Sequence, residues 1–210
     1  MKLIEQSSRE FSEQLASHSP TPGGGSAAAM IGSYGAALSA MVANFTIGRE
    51  KYAEHEETMK DTLAQVENLR KEFLAAVDAD AEAYSAVGDV LKMPKSTPEE
   101  KAARKESMQN ALKKAALIPL HVMELSLKAL QLTSNAVGIS NPNVSSDLGV
   151  SALSLRTAMC GAWLNVLINL GSIKDEAFTN EYRMRGESLI TKALTLSDEI
   201  YESVLNSVGG

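Results

Sequence analysis

The sequence predicts an all-α protein, a single-domain bundle of long helices around two apolar central helices that assembles as a dimer. The 6 prolines leave long proline-free stretches, and an uninterrupted helix needs such stretches. Ala, Leu, Met, Glu and Lys are abundant, and all of them favour helices. Strand signals are nearly absent, because no Asn-Gly or Asp-Gly turn and no sustained β-branched alternation occurs. No internal repeat or linker divides the chain, so we expect one domain over residues 1–210.

Three helices are predicted in the first half of the chain. The first covers residues 2–17. The second follows three consecutive glycines, with Ser26 as a plausible N-cap, and continues without charge to Ile47. The third runs over about 50–90, where apolar residues recur at helical spacing.

A fourth helix is predicted to begin at the sequence Thr97-Pro98-Glu99-Glu100. Thr97 can cap this helix, Pro98 fits its first position, and Glu100 can complete a capping box. The helix runs towards Val137. We expect a kink or break near Pro119, because proline removes a backbone donor.

The last two helices follow a turn-rich loop, GISNPNVSSD. One is predicted over 148–170 and is nearly uncharged, like the second helix. The other is amphipathic and covers about 174–208. A helix that is apolar on all sides is normally surrounded by other helices. The two uncharged helices therefore predict a buried centre that is partly covered by a second subunit.

Composition excludes several classes of function. The net charge of −6 argues against nucleic acid as a partner, because phosphate binding needs a basic face. Cys160 is the only cysteine, so no intrachain disulfide can form, and we expect a reducing, cytoplasmic location. The uncharged helices contain too many Ser, Asn, Gly and Ala residues to favour a membrane span. The three histidines show no zinc-ligand spacing, so no metal is expected.

The glycine stretch Pro22-Gly23-Gly24-Gly25-Ser26 is not a nucleotide loop. A P-loop has a lysine immediately before the Ser or Thr and a strand before the loop, and the sequence predicts neither. Two interpretations remain open. The stretch is either a tight turn between packed helices or a site where helix N-terminal amides hold an anion or an electron-rich ligand edge.

Three stretches occur in a fixed order: TPGGGS followed by GAALSAMVANFTIGREKY, then DADAEAY, then NPNVSSDLGVSALSLRTAMCGAWLNVLINLGSIKD. Together they resemble the formiminotetrahydrofolate cyclodeaminase and methenyltetrahydrofolate cyclohydrolase family. The resemblance spans essentially the whole chain. One departure is NPN at 141–143, where residues of GN type are expected.

The resemblance implies an all-helical homodimer whose folate sites lie in clefts lined by both subunits. The ligand would be a tetrahydrofolate derivative, including polyglutamylated forms, and no metal, nucleotide or redox cofactor is needed. In the cyclodeaminase reaction, N10 of 5-formiminotetrahydrofolate attacks the formimino carbon and ammonia leaves, giving 5,10-methenyltetrahydrofolate. In the cyclohydrolase reaction, water attacks the methenyl carbon and gives 10-formyltetrahydrofolate. The first reaction is our primary expectation. The residues do not separate the two, and any channelling would need a separate formiminotransferase chain.

Four residues are predicted to be catalytic. Asp147, near a helix start, and Asp80, in mid-helix where Asp is a mediocre choice, are the candidate proton-transfer carboxylates. Without the resemblance, Asp147 would be read as a helix cap and Asp80 as a surface residue. Lys51 and Tyr52 could meet the glutamate tail or polarise the reacting amidine.

The predicted substrate-binding residues are glycines, serines and asparagines, since buried amides need hydrogen-bond partners. They are Gly23, Gly24, Gly25, Ser26, Asn44, Ser146, Asn165 and Asn169. Lys92 and Lys95 could extend an anion-binding track from Lys51. Two alternatives from other classes remain, a non-catalytic helical dimerisation module and a folate-binding protein without catalysis. The dimerisation module predicts that Asp80, Asp147 and the glycines do not converge on a pocket.

Overall fold

The structure is a computed structural model that describes residues 2–209, and within that range it contains helices and no strand. The predicted all-α class is therefore confirmed. The α-helices, in chain order, are α1 (Ser8–Leu15), α2 (Gly24–Thr46), α3 (Glu56–Lys92), α4 (Pro98–Ala136), α5 (Ser145–Leu170) and α6 (Glu176–Val208). Short 3-10 helices lie at Leu3–Glu5, Glu50–His55 and Pro142–Val144.

Helix α2 packs against α3 on one side and α5 on another, and α4 and α6 complete the bundle. Glycines allow these close approaches. A Cβ at Gly32 would lie 2.4 Å from the Phe73 ring of α3, and a Cβ at Gly35 would lie 2.7 Å from Leu155 of α5. A larger residue at either position would force α2 away from its neighbour.

A chain of buried hydroxyl groups joins α2, α4 and α5 near the middle of the bundle. The Ser39 Oγ lies 2.7 Å from the Thr133 Oγ1 and 2.8 Å from the Ser151 Oγ. The Ser151 hydroxyl also hydrogen-bonds the Gly35 carbonyl at 2.8 Å. Since buried polar groups are costly unless paired, this chain fixes the rotation of the three helices relative to one another.

The predicted first helix over 2–17 is wrong as a continuous element. It is divided into the 3-10 helix Leu3–Glu5 and α1. Ser7 is extended and caps α1, its side chain accepting from the Glu10 N–H while the Glu10 carboxylate accepts from the Ser7 N–H. This capping box stops the two segments from joining.

The other predicted helices are confirmed, with changed boundaries. The Thr97 capping box is present as expected. Pro119 does not break α4, which continues from Pro98 to Ala136. Residues 50–55 form a separate 3-10 helix before α3 because Tyr52 leaves helical geometry, with φ −117° and ψ 18°. Helix α5 begins at Ser145, inside the stretch predicted to be a loop.

Three helical segments are long and apolar enough to cross a membrane by length and composition alone: Gly24–Thr46, Pro98–Ala136 and Pro142–Leu170. In the most apolar window of each, 61%, 56% and 39% of the residues respectively are buried inside the bundle. The expectation that the chain does not span a membrane stays a prediction.

Candidate functional site

The glycine stretch forms the N-terminal end of α2 rather than a loop before it. Gly23 is the N-cap and Gly24 the first helical residue, so the prediction of Ser26 as N-cap is wrong. Ser26 is completely buried, and its hydroxyl donates to the Val77 carbonyl at 3.1 Å and to the Asp80 Oδ2 at 2.8 Å. Gly23 has no side chain that could cap α2. The Asp80 side chain of α3 therefore takes the place of a cap at the start of α2.

Gly25 makes room for the Asp80 carboxylate. A Cβ at position 25 would lie 2.2 Å from the Asp80 Oδ1, far inside van der Waals contact. The carboxylate therefore lies directly against the backbone at the start of α2, where the free amides and the helix dipole favour negative charge. Asp80, in the middle of α3, therefore lies at the N-terminus of α2.

Burial raises the pKa of the Asp80 carboxyl above the ordinary aspartate value, and hydrogen bonds from the Ser26 side chain and backbone partly oppose this rise. The surroundings thus disfavour the charged form although Ser26 supports it. An acid–base group works best when its pKa lies near the working pH. Asp80 is therefore placed to exchange a proton.

A cavity of about 360 Å³ opens beside Asp80, a volume in the range of small-molecule sites. Its walls come from the glycine stretch, α3, α4 and the end of α5. The lining residues include Gly23, Gly24, Gly25, Asp80, Tyr84, Leu112, Asn165, Ile168, Asn169 and Ser172. We call this cavity with its lining residues the glycine-end site.

Asn165 and Asn169 line the same cavity and are half-buried. Their amide nitrogens donate to backbone carbonyls, Asn165 to Gly161 at 2.9 Å, and Asn169 to Asn165 at 2.9 Å and Ala115 at 3.3 Å. These bonds fix both side chains along α5. Neither amide oxygen accepts a hydrogen bond from residues 2–209. Both oxygens therefore remain available to a ligand's N–H groups.

Lys51 and Tyr52 lie elsewhere, beside a second cavity of about 460 Å³. This cavity lies between the 3-10 helix Glu50–His55, the α4–α5 loop and the end of α6. The Lys51 Nζ lies 5.5 Å from the centre of the Tyr52 ring, a cation–π contact. We call Asn44, Lys51, Tyr52, Ser146 and Asp147 the loop-end cluster.

The other three members of the loop-end cluster are less buried than Ser26, the hydroxyl partner of Asp80. Asn44 and Ser146 are exposed, and Asp147 is half-buried in the first turn of α5. Asp147 makes no capping hydrogen bond, since Val144 is the N-cap. The interpretation of Asp147 as a simple cap is therefore wrong. Asp147 does not line the cavity beside Lys51.

The predicted site residues form two groups at opposite ends of α2. The glycine-end site holds Asp80, while the loop-end cluster begins where the helix ends, at Asn44. At 1.5 Å per residue the two ends are roughly 30 Å apart. Within one chain Asp80 and Asp147 cannot act on the same carbon.

Comparison with known proteins gives three concordant results. The sequence profile of the Formiminotransferase-cyclodeaminase family matches residues 7–188. A methenyltetrahydrofolate cyclohydrolase of Methylorubrum extorquens is 41% identical over 198 residues, covering 94% of this chain and 95% of that protein. The rat formimidoyltransferase-cyclodeaminase is 35% identical over 193 residues, 92% of this chain and 36% of the rat protein.

The chain belongs to the formiminotransferase-cyclodeaminase family. A crystal structure of formiminotetrahydrofolate cyclodeaminase from Thermotoga maritima has the same fold, with a TM-score of 0.82 and 28% identity over 100% of this chain and 98% of that one. The predicted resemblance is confirmed. Relative to the bifunctional rat protein, this chain matches only about a third of the length.

Several residues that the structure places at the two ends of α2 were not predicted from the sequence. Tyr84 and Ile168 line the glycine-end cavity although both are largely exposed, at 55% and 73%. At the other end, Asn141 donates to the Phe45 carbonyl at 3.1 Å and accepts from the Asn143 N–H at 3.1 Å. The unexpected NPN sequence therefore joins the end of α2 to the start of α5.

The predicted anion-binding track from Lys51 through Lys92 and Lys95 is not continuous. Lys92 is exposed and pairs with Asp89 at 2.8 Å. Lys95 follows the end of α3, a helix of 37 residues whose start, and not its end, adjoins Lys51. Lys95 lines a different cavity, between the α3–α4 connector and α4.

Proposed function

We propose that this chain is a folate one-carbon enzyme, and that its reaction is the conversion of 5,10-methenyltetrahydrofolate to 10-formyltetrahydrofolate. The observation that carries the proposal is the buried Asp80 carboxylate beside a ligand-sized cavity that two asparagine amides also line. The cyclohydrolase assignment takes precedence over deamination because the 41% identical relative, matched along 95% of its length, is a cyclohydrolase.

The glycine-end site supplies groups that this hydrolysis needs. Asp80, with its pKa raised by burial, accepts a proton as a water oxygen bonds to the methenyl carbon. The resulting tetrahedral carbon bears N5, N10 and the hydroxyl. The C–N5 bond then breaks, N5 gains a proton and the hydroxyl loses one, which leaves the formyl group on N10. The reaction consumes one water and releases one proton.

The cavity also suits a pterin. The free amide oxygens of Asn165 and Asn169 can accept from the N–H groups of the ring, while Ile168 and Leu112 offer apolar contact. Tyr84 provides an aromatic face at the rim. Water and protein side chains perform every proposed step, so the proposal needs no cofactor besides the folate.

Cyclodeamination is the second candidate, favoured by the Thermotoga maritima structure, which matches the whole chain and is a formiminotetrahydrofolate cyclodeaminase. In that reaction Asp80 would pass a proton to the departing ammonia. Both reactions traverse a tetrahedral carbon between N5 and N10, so one site could serve either.

One pair of assays tests the proposal and separates the candidates. Loss of the methenyl chromophore of 5,10-methenyltetrahydrofolate above its spontaneous rate indicates the cyclohydrolase. Ammonia release from 5-formiminotetrahydrofolate indicates the cyclodeaminase. The variant Asp80→Asn should lower whichever activity is found. Its matched control is Asp89→Asn, because Asp89 is an exposed aspartate on the same helix as Asp80. If the folded protein is inactive in both assays, the non-catalytic folate-binding or dimerisation module replaces the enzyme.

We further propose that the protein is a homodimer in which α2 and α5 are the central helices. Both helices expose uncharged stripes at helical spacing. On α2 the stripe includes Tyr34 at 52% and Phe45 at 47%, and on α5 Val150 at 51%, Leu164 at 67% and Ile168 at 73%. Exposed large apolar residues along one face of a helix are typical of a protein interface.

A two-fold axis perpendicular to α2 would bring the two ends of the helix together. The apolar stripe runs from the glycine-end site to the loop-end cluster, so antiparallel pairing places the loop end of one subunit over the glycine end of its partner. Lys51 and Asp147 of one chain would then act with Asp80 of the other. This arrangement would produce the predicted folate clefts lined by both subunits.

Subunit mixing tests the shared site. Asp80→Asn and Lys51→Ala are each expected to lower activity, and a mixed dimer would contain one intact site. Random mixing of equal amounts should restore about a quarter of the wild-type activity. Asp80→Asn mixed with Gly25→Ala is the control, because both changes lie in the same half-site and no restoration is expected. If neither mixture restores activity although subunits exchange, the site lies within one chain.

A further inference from the structure

The stretch between α1 and α2 forms one wall of the glycine-end site. Pro20 and Thr21 line its cavity, immediately before the glycines that line it too. Both residues lie outside the helices, and the proposed reaction assigns no role to either of them. We call residues 18–22 the wall segment. A wall that is already ordered spares the ligand the cost of ordering it, so whatever holds this segment affects binding.

The wall segment has no regular secondary structure to hold it. In the described part of the chain, no backbone–backbone hydrogen bond involves residues 18–22. Two side-chain bonds are confined to the turn itself, where the Ser19 N–H donates to the Ser17 Oγ at 3.0 Å and the Ser19 hydroxyl donates to the Thr21 carbonyl at 2.6 Å. Pro22 is buried and fixes the end of the segment by packing. Local bonds of this kind do not tie Thr21 to the helical bundle.

Gln14 of α1 supplies the connection from outside the segment. Its Nε2 donates to the Thr21 carbonyl at 3.0 Å. Its Oε1 accepts from the Gln6 Nε2 at 2.6 Å. The Gln14 side chain is half-buried between these two partners. One amide group therefore uses its donor on the wall and its acceptor on the stretch before α1.

The other end of this chain of hydrogen bonds is fixed on α3. The Gln6 N–H donates to the Leu3 carbonyl at 3.3 Å. Leu3 is buried, and its own N–H donates to the Asp78 Oδ1 at 2.7 Å. Asp78 precedes Asp80 by two positions on α3. The same turn of α3 therefore carries the candidate proton-transfer carboxylate and, through Gln14, the support of the wall segment.

Asp80 is nevertheless held independently of the wall segment. Its hydroxyl partner Ser26 and the close neighbour Gly25 both lie on α2. The side-chain bonds of Gln14 go to Gln6 and Thr21, which are outside α2. A loosened wall would therefore change contacts with a bound ligand without moving the carboxylate. Loss of such contacts raises KM and leaves kcat unchanged.

We infer that Gln14 is a positioning residue for the glycine-end site, and that it fixes the wall against which the folate binds by holding the Thr21 carbonyl. This inference rests on the function proposed above, since it concerns the binding of that substrate. Gln14 does not line the cavity itself and acts through Pro20 and Thr21, which do. The N-terminal stretch is thus part of the construction of the site.

Two substitutions separate the two bonds of Gln14. Gln14→Glu keeps an oxygen for the Gln6 amide, but an ionised carboxylate cannot donate to the Thr21 carbonyl. Gln14→Ala removes both bonds. The matched controls are Ser12→Glu and Glu13→Ala, at exposed positions on the same helix.

Steady-state kinetics of these four variants tests the inference with the folate that the protein turns over. Both Gln14 variants should raise KM by about fivefold, as expected for one lost hydrogen bond, and should change kcat by less than about twofold. Both controls should keep the wild-type KM. An unchanged KM in both Gln14 variants overturns the inference, and so does a kcat that falls as much as KM rises. An increase in Gln14→Ala alone would assign the effect to Gln6 and overturn the role of the Thr21 carbonyl.

Nuclear magnetic resonance relaxation measures the wall segment without turnover. In the ligand-free wild type and controls, the order parameter of the Thr21 N–H should lie in the rigid range, at about 0.85. In both Gln14 variants it should fall into the flexible range, below about 0.6. Equal order parameters in all five proteins overturn the inference. If the wild type is inactive with both folates while the order of Thr21 depends on Gln14, only the proposed function is contradicted.

Discussion

The two ends of α2 differ in how their polar residues are held. At the glycine end, Asp80 lies against helix backbone, with its pKa raised by burial and with a fully buried hydroxyl as partner. At the loop end, Asn44 is exposed and the Lys51 ammonium lies 5.5 Å from the centre of the Tyr52 ring. The glycine end is therefore preorganised within one chain, whereas the loop end gains its surroundings only if another surface covers it.

This difference indicates different roles for the two ends of α2 in the reaction. A preorganised, buried carboxylate suits proton transfer, which depends on fixed geometry and a tuned pKa. Exposed cations suit substrate attraction and charge neutralisation, which tolerate mobility. Substitutions at the glycine end should therefore act on kcat, while those at the loop end should act on stability and KM.

Asp80→Asn should produce the largest effect. Loss of a general base lowers kcat by about 10²- to 10⁴-fold, and KM should change little because the amide keeps the shape of the side chain. Steady-state kinetics with circular dichroism checks this expectation, beside Asp89→Asn as control. Full activity in Asp80→Asn would transfer the catalytic role to the loop-end cluster.

Gly25→Ala should come next. Its Cβ would lie 2.2 Å from the Asp80 Oδ1, so the carboxylate must move, and a displacement of this size lowers activity by about 100-fold. Gly88→Ala on α3 is the matched control, because a Cβ there meets no atom within 4 Å. The control should keep its activity. Equal activity in the two variants would show that the position of Asp80 is unimportant.

The pH profile should carry the signature of the raised Asp80 pKa. A general base must be ionised, so kcat should fall as pH falls through a pKa that lies above the ordinary aspartate value. This fall of kcat at low pH should disappear in Asp80→Asn, whose residual kcat should not change over the same pH range. If kcat of the variant still falls at low pH, the ionising group is a residue other than Asp80.

At the loop end, Asn141→Ala should lower the free energy of unfolding by about 1–2 kcal/mol. The change removes hydrogen bonds to the Phe45 carbonyl and the Asn143 N–H. Chemical denaturation measures the loss, and Asn143→Ala is the control because its side chain is exposed. Unchanged stability in Asn141→Ala would mean that this loop does not hold the ends of α2 and α5 together.

The smallest effect should be that of Asp80→Asn on stability. Because the folded pKa is raised, the folded state binds more protons than the unfolded state between the two pKa values, and stability falls as pH rises through that window. Asn removes this cost, so the variant should be as stable as wild type, or slightly more so, at neutral pH. Thermal denaturation measures it. A clear loss would make Asp80 a structural cap.

The sequence predicted the helices well because their signals are local. Proline-free stretches and the Thr97 capping box depend on neighbours in the chain. The break before α1 has a local signal too, since Ser7 and Glu10 form the same box.

What could not be predicted depends on contacts that are distant in sequence. Ser26 and Asp80 are 54 positions apart, and Asn141 and Thr46 are 95 apart. No periodicity indicates that Asp80 meets the start of α2, and for this reason the sequence alone favours Ser26 as the cap. The residue types of the site were predictable, whereas their division between two ends was not.

The contact between Gly25 and Asp80 has a consequence for how such sequences can change over time. Any side chain at position 25 occupies the space of the carboxylate, so these two positions cannot vary independently. A relative that has gained a side chain at position 25 should have a shorter residue at position 80. Such paired replacement would mark lineages that keep the helical bundle but have lost the chemistry.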